Sequence, residues 1–319
     1  MVTILLSSRQ YTANFEEVNL IYRSWTKVNL ALSLMLLIAF VQVYLPFEVK
    51  AEDSQETIVE EAKFREVSTP HYNPYESNFE PRFGVYTYEV SWNGIPAAEA
   101  KLSVGGDEFQ YRLIATARTY SPVNIFYNLK YQAEGILSAI DFSPIRTVIR
   151  QRENSKVRMI DINFNNDGAI ESVRTQEGKP TKILRFSSDN PTLDPFAAAF
   201  MARTLSWKEG ETKQFDTFNG KTRYLITLTA QGRENIEFNG QEKDCWVITP
   251  KVEKLVDGES PSKLRDARIY LTNDSNRDVV RIESEVFIGT VVTKLKAFHE
   301  EYTPPVIRMA ALRGRSAIR

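Results

Sequence analysis

The chain has 319 residues, 42% hydrophobic and 25% charged, with a formal net charge of −1, the balance of an ordinary globular protein. Such a chain carries no global basic field, which argues against a nucleic-acid partner. One cysteine, Cys245, and two histidines, His71 and His299, exclude an intramolecular disulfide and leave too few soft ligands for a zinc centre, so no metal or other cofactor is expected.

The first element in chain order is a nearly uncharged apolar run at 28–47, preceded by Arg23 and Lys27 and followed by Glu52, Asp53, Glu56, Glu60 and Glu61. These flanks place the N-terminus inside a membrane and the rest of the chain outside. The run ends at Val49-Lys50-Ala51, a small-x-small pattern, so residues 1–51 read as a signal peptide cleaved after Ala51. The run is also long enough to span a bilayer, and the other reading is an uncleaved anchor. No cysteine stands at its end, which speaks against lipidation there. The expected location is the periplasm, or the inner membrane with the folded part in the periplasm.

Residues 52–80, acidic and then rich in Pro, Asn, Ser and Tyr, show no periodicity and read as a disordered tether. From 81 to 300 the dominant period is two. Tyr86, Tyr88, Val90 and Trp92 share one face, and after an Asn93-Gly94 turn so do Ala98, Ala100, Leu102 and Val104, a hairpin signature. The next segments set Phe109, Tyr111, Leu113, Ala115 and Ala117 on one face, then Leu129, Tyr131, Ala133, Gly135 and Leu137. Alternation continues through 181–186 and resumes at 213, with 222–231 and 233–238 read as two segments, to 290–298. Roughly a dozen short antiparallel strands predict an all-β barrel or half-barrel.

One stretch departs from that period. In 194–205 (DPFAAAFMARTL), Asp194 suits an N-cap, Pro195 the first turn, and Phe196, Phe200 and Met201 recur at helical spacing. This is expected to be one short helix packed on, or plugged into, the sheet. Residues 301–319, with Arg308, Arg313, Arg315 and Arg319, read as a basic disordered tail.

The run Tyr88-x-Val90-x-Trp92-Asn93-Gly94-Ile95-Pro96-Ala97-Ala98-Glu99-Ala100 resembles the opening signature of the family of exported bacterial proteins catalogued as domain of unknown function 3108. Leu193-Asp194-Pro195 with its Ala/Phe helix, Trp207-x-x-Gly210 and the strand from Arg281 to Gly289 resemble later landmarks of that family. The resemblance implies an antiparallel β domain of the cell envelope and supplies no catalytic residues to carry over.

The sequence holds no Gly-rich phosphate loop, no Gly-x-Ser-x-Gly elbow and no His-x-x-x-His pair. His71 falls in the expected tether and His299 at the end of the last strand, poor positions for a general base. Glu283 and Glu285 share a strand face with Arg281, which reads as a solvated surface and not as a glycosidase pair. Asp161, Asn163, Asn165, Asn166 and Asp167 bring oxygens near one turn without the full pattern of a calcium loop. A basic hairpin, Arg146, Arg150, Arg152, Lys156 and Arg158, has the charge to meet an anionic polymer or to guard a sheet edge.

What stands out is an excess of aromatics on inward faces. Tyr88, Trp92, Tyr111, Phe126, Tyr131, Phe196, Phe200 and Trp207 are the candidate ligand-binding residues, with a filled core as the plainer explanation. The expected function is therefore a non-catalytic envelope protein binding an apolar or amphipathic, lipid-like ligand within a β shell. The alternative is a module that docks an envelope protein or polymer through a sheet edge or the basic hairpin.

Overall fold

The computed structural model describes residues 57–75, 79, 81–125, 127–256, 266–286 and 289–301. The apolar run at 28–47 and the basic tail beyond 301 lie outside them, as does Phe126. Among the described residues, no helix is long and apolar enough to cross a membrane.

The strands are β1 (Thr57–Glu61), β2 (Gly84–Trp92), β3 (Ile95–Gly106), β4 (Gln110–Thr119), β5 (Leu129–Ser138), β6 (Pro144–Glu153), β7 (Lys156–Phe164), β8 (Ala169–Gln176) and β9 (Thr181–Ser187). They continue as β10 (Thr192–Leu193), β11 (Thr212–Phe218), β12 (Arg223–Phe238), β13 (Gln241–Lys254), β14 (Ala267–Thr272), β15 (Val279–Glu285) and β16 (Thr290–Glu300). A single turn of helix, α1 (Ser121–Asn124), precedes β5, and α2 (Pro195–Thr204) follows β10. All sixteen strands form one sheet in the order β1-β9-β8-β7-β6-β5-β4-β3-β2-β16-β15-β14-β13-β12-β11-β10. Two antiparallel meanders, β2 to β9 and β11 to β16, are joined where β16 pairs with β2.

The expected alternation is the reason these segments are strands. Tyr86, Tyr88 and Val90 are buried on β2, and Leu129, Tyr131, Ala133, Gly135 and Leu137 on β5, with more exposed residues between them. The Asn93-Gly94 turn has φ of 48° and 81°, the left-handed pair that a two-residue hairpin requires and that Asn and Gly tolerate best. The strands at 222–231 and 233–238 are one strand, β12, because the break at Gly232 is a bulge in the pairing with β13 and not a turn. Phe109, expected on the inner face of β4, sits instead in the preceding turn and is 73% exposed. The turn at Asp107 captures it: the Asp107 carboxylate accepts from the backbone N–H groups of Phe109 and Gln110, both at 2.9 Å.

The tether expected at 52–80 needs correction over its described part. Thr57–Glu61 pairs in parallel with β9, and the segment after it packs across the sheet. Its five residues are all exposed on both faces, so no alternation of burial marked it as a strand.

The sheet is rolled but not closed by hydrogen bonding, and its edges are β1 and β10. Chain reach forces the roll. Only residues 188–191 connect β9, beside one edge, to β10 at the other, a span of at most about 18 Å. The seam between the edges is bridged by side chains. Arg223, fully buried, donates from Nε to Asp216 at 3.0 Å, from Nη1 to Glu66 at 3.0 Å and from Nη2 to Ser188 at 2.7 Å. Asp216, equally buried, also accepts from Asn190 Nδ2 at 2.9 Å and Thr192 Oγ1 at 3.0 Å. The core occupies the inside of the roll, with α2 running through it.

Candidate functional site

Helix α2 is built to be enclosed. Asp194 caps it, accepting from the Ala197 N–H at 2.6 Å, and Pro195 opens its first turn. Every residue from Pro195 to Thr204 except Ala199 is buried, so the helix has no wet face of the kind a surface helix keeps. Its entry is fixed from β6, where Thr147 donates to the Asp194 carboxylate. Its exit is clamped by the Trp207 Nε1–H on the Ala202 carbonyl at 3.2 Å and by the Arg277 guanidinium on the Leu205 carbonyl at 2.9 Å.

The sheet makes room for the helix with small residues. Ala98, Ala100, Ala115, Ala117, Ala133 and Gly135 face inward on β3, β4 and β5. At Gly135 the need is steric, because an added Cβ would stand 2.6 Å from a ring carbon of Phe196. On the same helix Phe200 meets Tyr111 and Phe142 with ring centroids 6.3 and 6.0 Å apart. The small side chains leave more space than α2 fills.

The result is a cavity of about 130 Å³ between α2 and the sheet. Tyr88, Ala100, Leu102 and Ala115 line one wall, Phe196, Phe200 and Arg203 the helix side, and Leu228, Ile248, Ile269, Leu271 and Ile282 the other. Lys101 and Thr116 border it from exposed positions, so Tyr88 and Arg203 are its interior polar groups. The side chain of Arg203 is 8% exposed. Its Nε donates to the Arg277 carbonyl at 2.8 Å, and its Nη2 donates to the Asn276 carbonyl at 3.0 Å and to Asp278 at 3.3 Å. Asp278 is also paired with Arg82, whose guanidinium lies 4.0 Å over the Phe298 ring. Burial pushes the Asp278 carboxyl up from the usual carboxylate range, and Arg203 and Arg82 pull against it. Burial likewise raises the Tyr88 hydroxyl, which stays neutral and able to donate.

The eight aromatics singled out from sequence divide sharply. Tyr88, Phe196 and Phe200 line the cavity. Tyr111 supports Phe200 from behind, and Trp207 closes the end of the helix. Tyr131 is buried near the Asp194 cap and Trp92 is half-buried at the end of β2, neither on the cavity wall, and Phe126 lies outside the described residues. Sequence reasoning missed Arg203 and the aliphatic wall of β12 to β15. The one available signal for Arg203 was a charge at the buried end of an otherwise apolar helix.

The remaining chemistry-bearing residues are dispersed. His299 is exposed on β16, and His71 borders a separate space of 50 Å³ beside Tyr72, Met201 and Phe215. Arg281 bridges Glu283, which puts that pair in a surface ion network. In the basic hairpin, Arg146 pairs with Asp161 and Arg158 with Glu153 at 3.9 Å, while Arg150, Arg152 and Lys156 are exposed. Burial holds the Cys245 thiol up at about 12, well away from the reactive thiolate. The described residues bring no three of His, Cys, Asp or Glu together as a metal site.

No curated protein matches the chain. A family model described as "Protein of unknown function (DUF3108)" matches residues 87–296. Among solved structures, the chain is similar to a beta-barrel-like protein of domain of unknown function DUF1849 from Brucella abortus, at 9% identity and a TM-score of 0.47, over 70% of this chain and 100% of that one. It is also similar to a candidate lipoprotein from Parabacteroides distasonis, at 10% identity and a TM-score of 0.29, over 73% of this chain and 100% of that one.

Proposed function

The chain belongs to the DUF3108 family, and from that premise we propose that it is a non-catalytic protein of the cell envelope that holds an apolar or amphipathic ligand between α2 and the sheet. The observation that carries this reading is the cavity beneath α2. A space of about 130 Å³ that the side chains do not fill leaves its lining short of packing partners. An apolar ligand restores those contacts, and the small side chains of Ala100 on β3 and Ala115 on β4 keep the space open. A space of this size is close to the roughly 150 Å³ that takes a benzene ring and below the range of drug-sized pockets, so the enclosed part of the ligand is small.

Location outside the cytoplasm is supported by the apolar run at 28–47, the positive charges before it and the acidic segment after it. A phosphatase active only outside the cytoplasm, fused after residue 80, is expected to work; a stable but inactive fusion would overturn the location. Native mass spectrometry of protein recovered from its own membranes is expected to show a bound species of small mass. A spectrum of bare protein under conditions that keep known carriers loaded would count against the ligand.

The second reading, docking of an envelope protein or anionic polymer through a sheet edge or the basic hairpin, keeps one supporting observation. Arg150, Arg152 and Lys156 remain exposed on β6 and β7. The pairing of Arg146 and Arg158 within the protein reduces the charge available to a partner, and the cavity favours the first reading.

A further inference from the structure

The two polar groups inside the cavity say more about its ligand than the apolar walls do. Tyr88 is 6% exposed and lines the cavity, and burial keeps its hydroxyl protonated and able to donate. Arg203, on the facing helix, donates from Nε and Nη2 to Arg277, Asn276, Asp278 and the Tyr86 hydroxyl, and none of these bonds uses its Nη1. Among the described residues Asp278 is the one carboxylate paired with both Arg203 and Arg82, so these three side chains sum to one positive charge, and Arg203 is the more deeply buried of the two arginines. A guanidinium in an apolar enclosure calls for a second anion.

We infer that the cavity takes a single-chain carboxylate, its short apolar body against Phe196, Phe200 and Ile282 and its carboxylate oxygens accepting from the Tyr88 hydroxyl and Arg203 Nη1. This deepens the reading of the previous subsection and rests on it. A guanidinium presents its donors in a planar fork that suits a carboxylate, and a phenol beside it donates to the same group without adding charge. A neutral alcohol of the same length fills the same walls but leaves the guanidinium without its counter-ion. The site therefore discriminates by head group and tolerates variation in the chain.

The test uses the full chain reconstituted in lipid nanodiscs and titrated calorimetrically at neutral pH with hexanoate and with hexan-1-ol. Hexanoate is expected to bind at least about tenfold more tightly, the usual advantage of a charge-assisted hydrogen bond. Tyr88→Phe, which keeps the ring and removes only the donor, is expected to weaken hexanoate several-fold and to leave hexan-1-ol unchanged. Arg203→Lys keeps the charge, loses the fork, and is expected to weaken hexanoate further. Equal binding of acid and alcohol by the wild-type protein would overturn the head-group assignment while leaving an apolar site in place. Failure of both probes to bind would overturn the site itself. Should Tyr88→Phe lose its thermal transition, the ratio of acid to alcohol on the wild-type protein still decides.

Discussion

The seam and the cavity lie in the same rolled sheet and solve opposite problems. At the seam Arg223 and Asp216 are both fully buried, and every partner they need comes from the protein: Glu66, Ser188, Asn190 and Thr192. Hydrogen bonds to Asp216 and Glu66 carry the Arg223 guanidinium above its usual value although burial pulls it down. At the cavity the walls are apolar, packing is incomplete, and Tyr88 and Arg203 are the polar groups of the interior. A polar cluster complete in itself holds shape, whereas an apolar space that side chains leave unfilled has room for something that is not part of the chain.

The largest expected effect breaks the seam. Arg223→Ala leaves Asp216 buried without its counter-ion, and removing one partner of such a pair costs about 3–5 kcal/mol. Urea unfolding should show that loss in the midpoint, with hexanoate affinity of the remaining folded protein unchanged. A seam variant that lost ligand and kept its stability would reverse the roles assigned to the two regions.

The next effect falls on the cavity. Phe200→Ala in a filled core costs about 3–5 kcal/mol, but Phe200 already faces open space on one side, so a loss nearer 2–3 kcal/mol is expected. Unfolding and ligand content measured on the same variant separate the two readings. Full loss of stability with unchanged ligand content would make α2 a plain core element.

The sequence showed much of the fold and less of the site, for reasons that lie in particular residues. Period-two burial on β2 and β5, the Asn93-Gly94 turn and the Asp194-Pro195 start of α2 are local signals, and the structure follows them. The strand β1 was hidden because it is held by backbone pairing to β9 alone and buries neither face. The site was legible only through its aromatics, and three of the eight reach the cavity. The Ile and Leu side chains of its far wall come from β12 to β15, and nothing local distinguishes them from residues that pack against one another. Arg203 meets Asp278 across 75 residues, a distance that a sequence pattern does not span.

Asp194 sharpens the comparison through pH. It is as buried as Asp216, but Thr147 and the Ala197 N–H are its partners and no cation pairs with it among the described residues. Burial therefore raises its carboxyl from 3.8 to about 6, against the pull of those hydrogen bonds. A folded-state value above the unfolded one means that the protonated form stabilises the fold. That contribution is complete below about pH 4 and is lost as pH rises through about 6, a change on the order of 2–3 kcal/mol. Asp194→Asn keeps a capping side chain and removes this titration, so its thermal midpoint should fall less across this window than that of the wild-type protein. Parallel curves would place the titration elsewhere.

The smallest effect expected has the opposite sign from the others. Ala115 faces the cavity from β4, is 4% exposed, and pairs with Leu102 and Ala133 on the neighbouring strands. Ala115→Val adds two methyl groups to that wall at a strand position where β-branching is favoured, and it fills space that is otherwise empty. Filling a cavity of this kind stabilises by about 1 kcal/mol, read as a rise in the unfolding midpoint. The same methyl groups occupy the space assigned to the ligand, so hexanoate affinity should fall together with the gain in stability. A destabilisation in the range of about 1–3 kcal/mol would instead mean that the core around Ala115 is already full, since overpacking carries that cost. The sign of the stability change and the change in affinity must move in opposite directions if small side chains at Ala100 and Ala115 keep the cavity open, and a stabilised variant that bound hexanoate as before would put the ligand elsewhere.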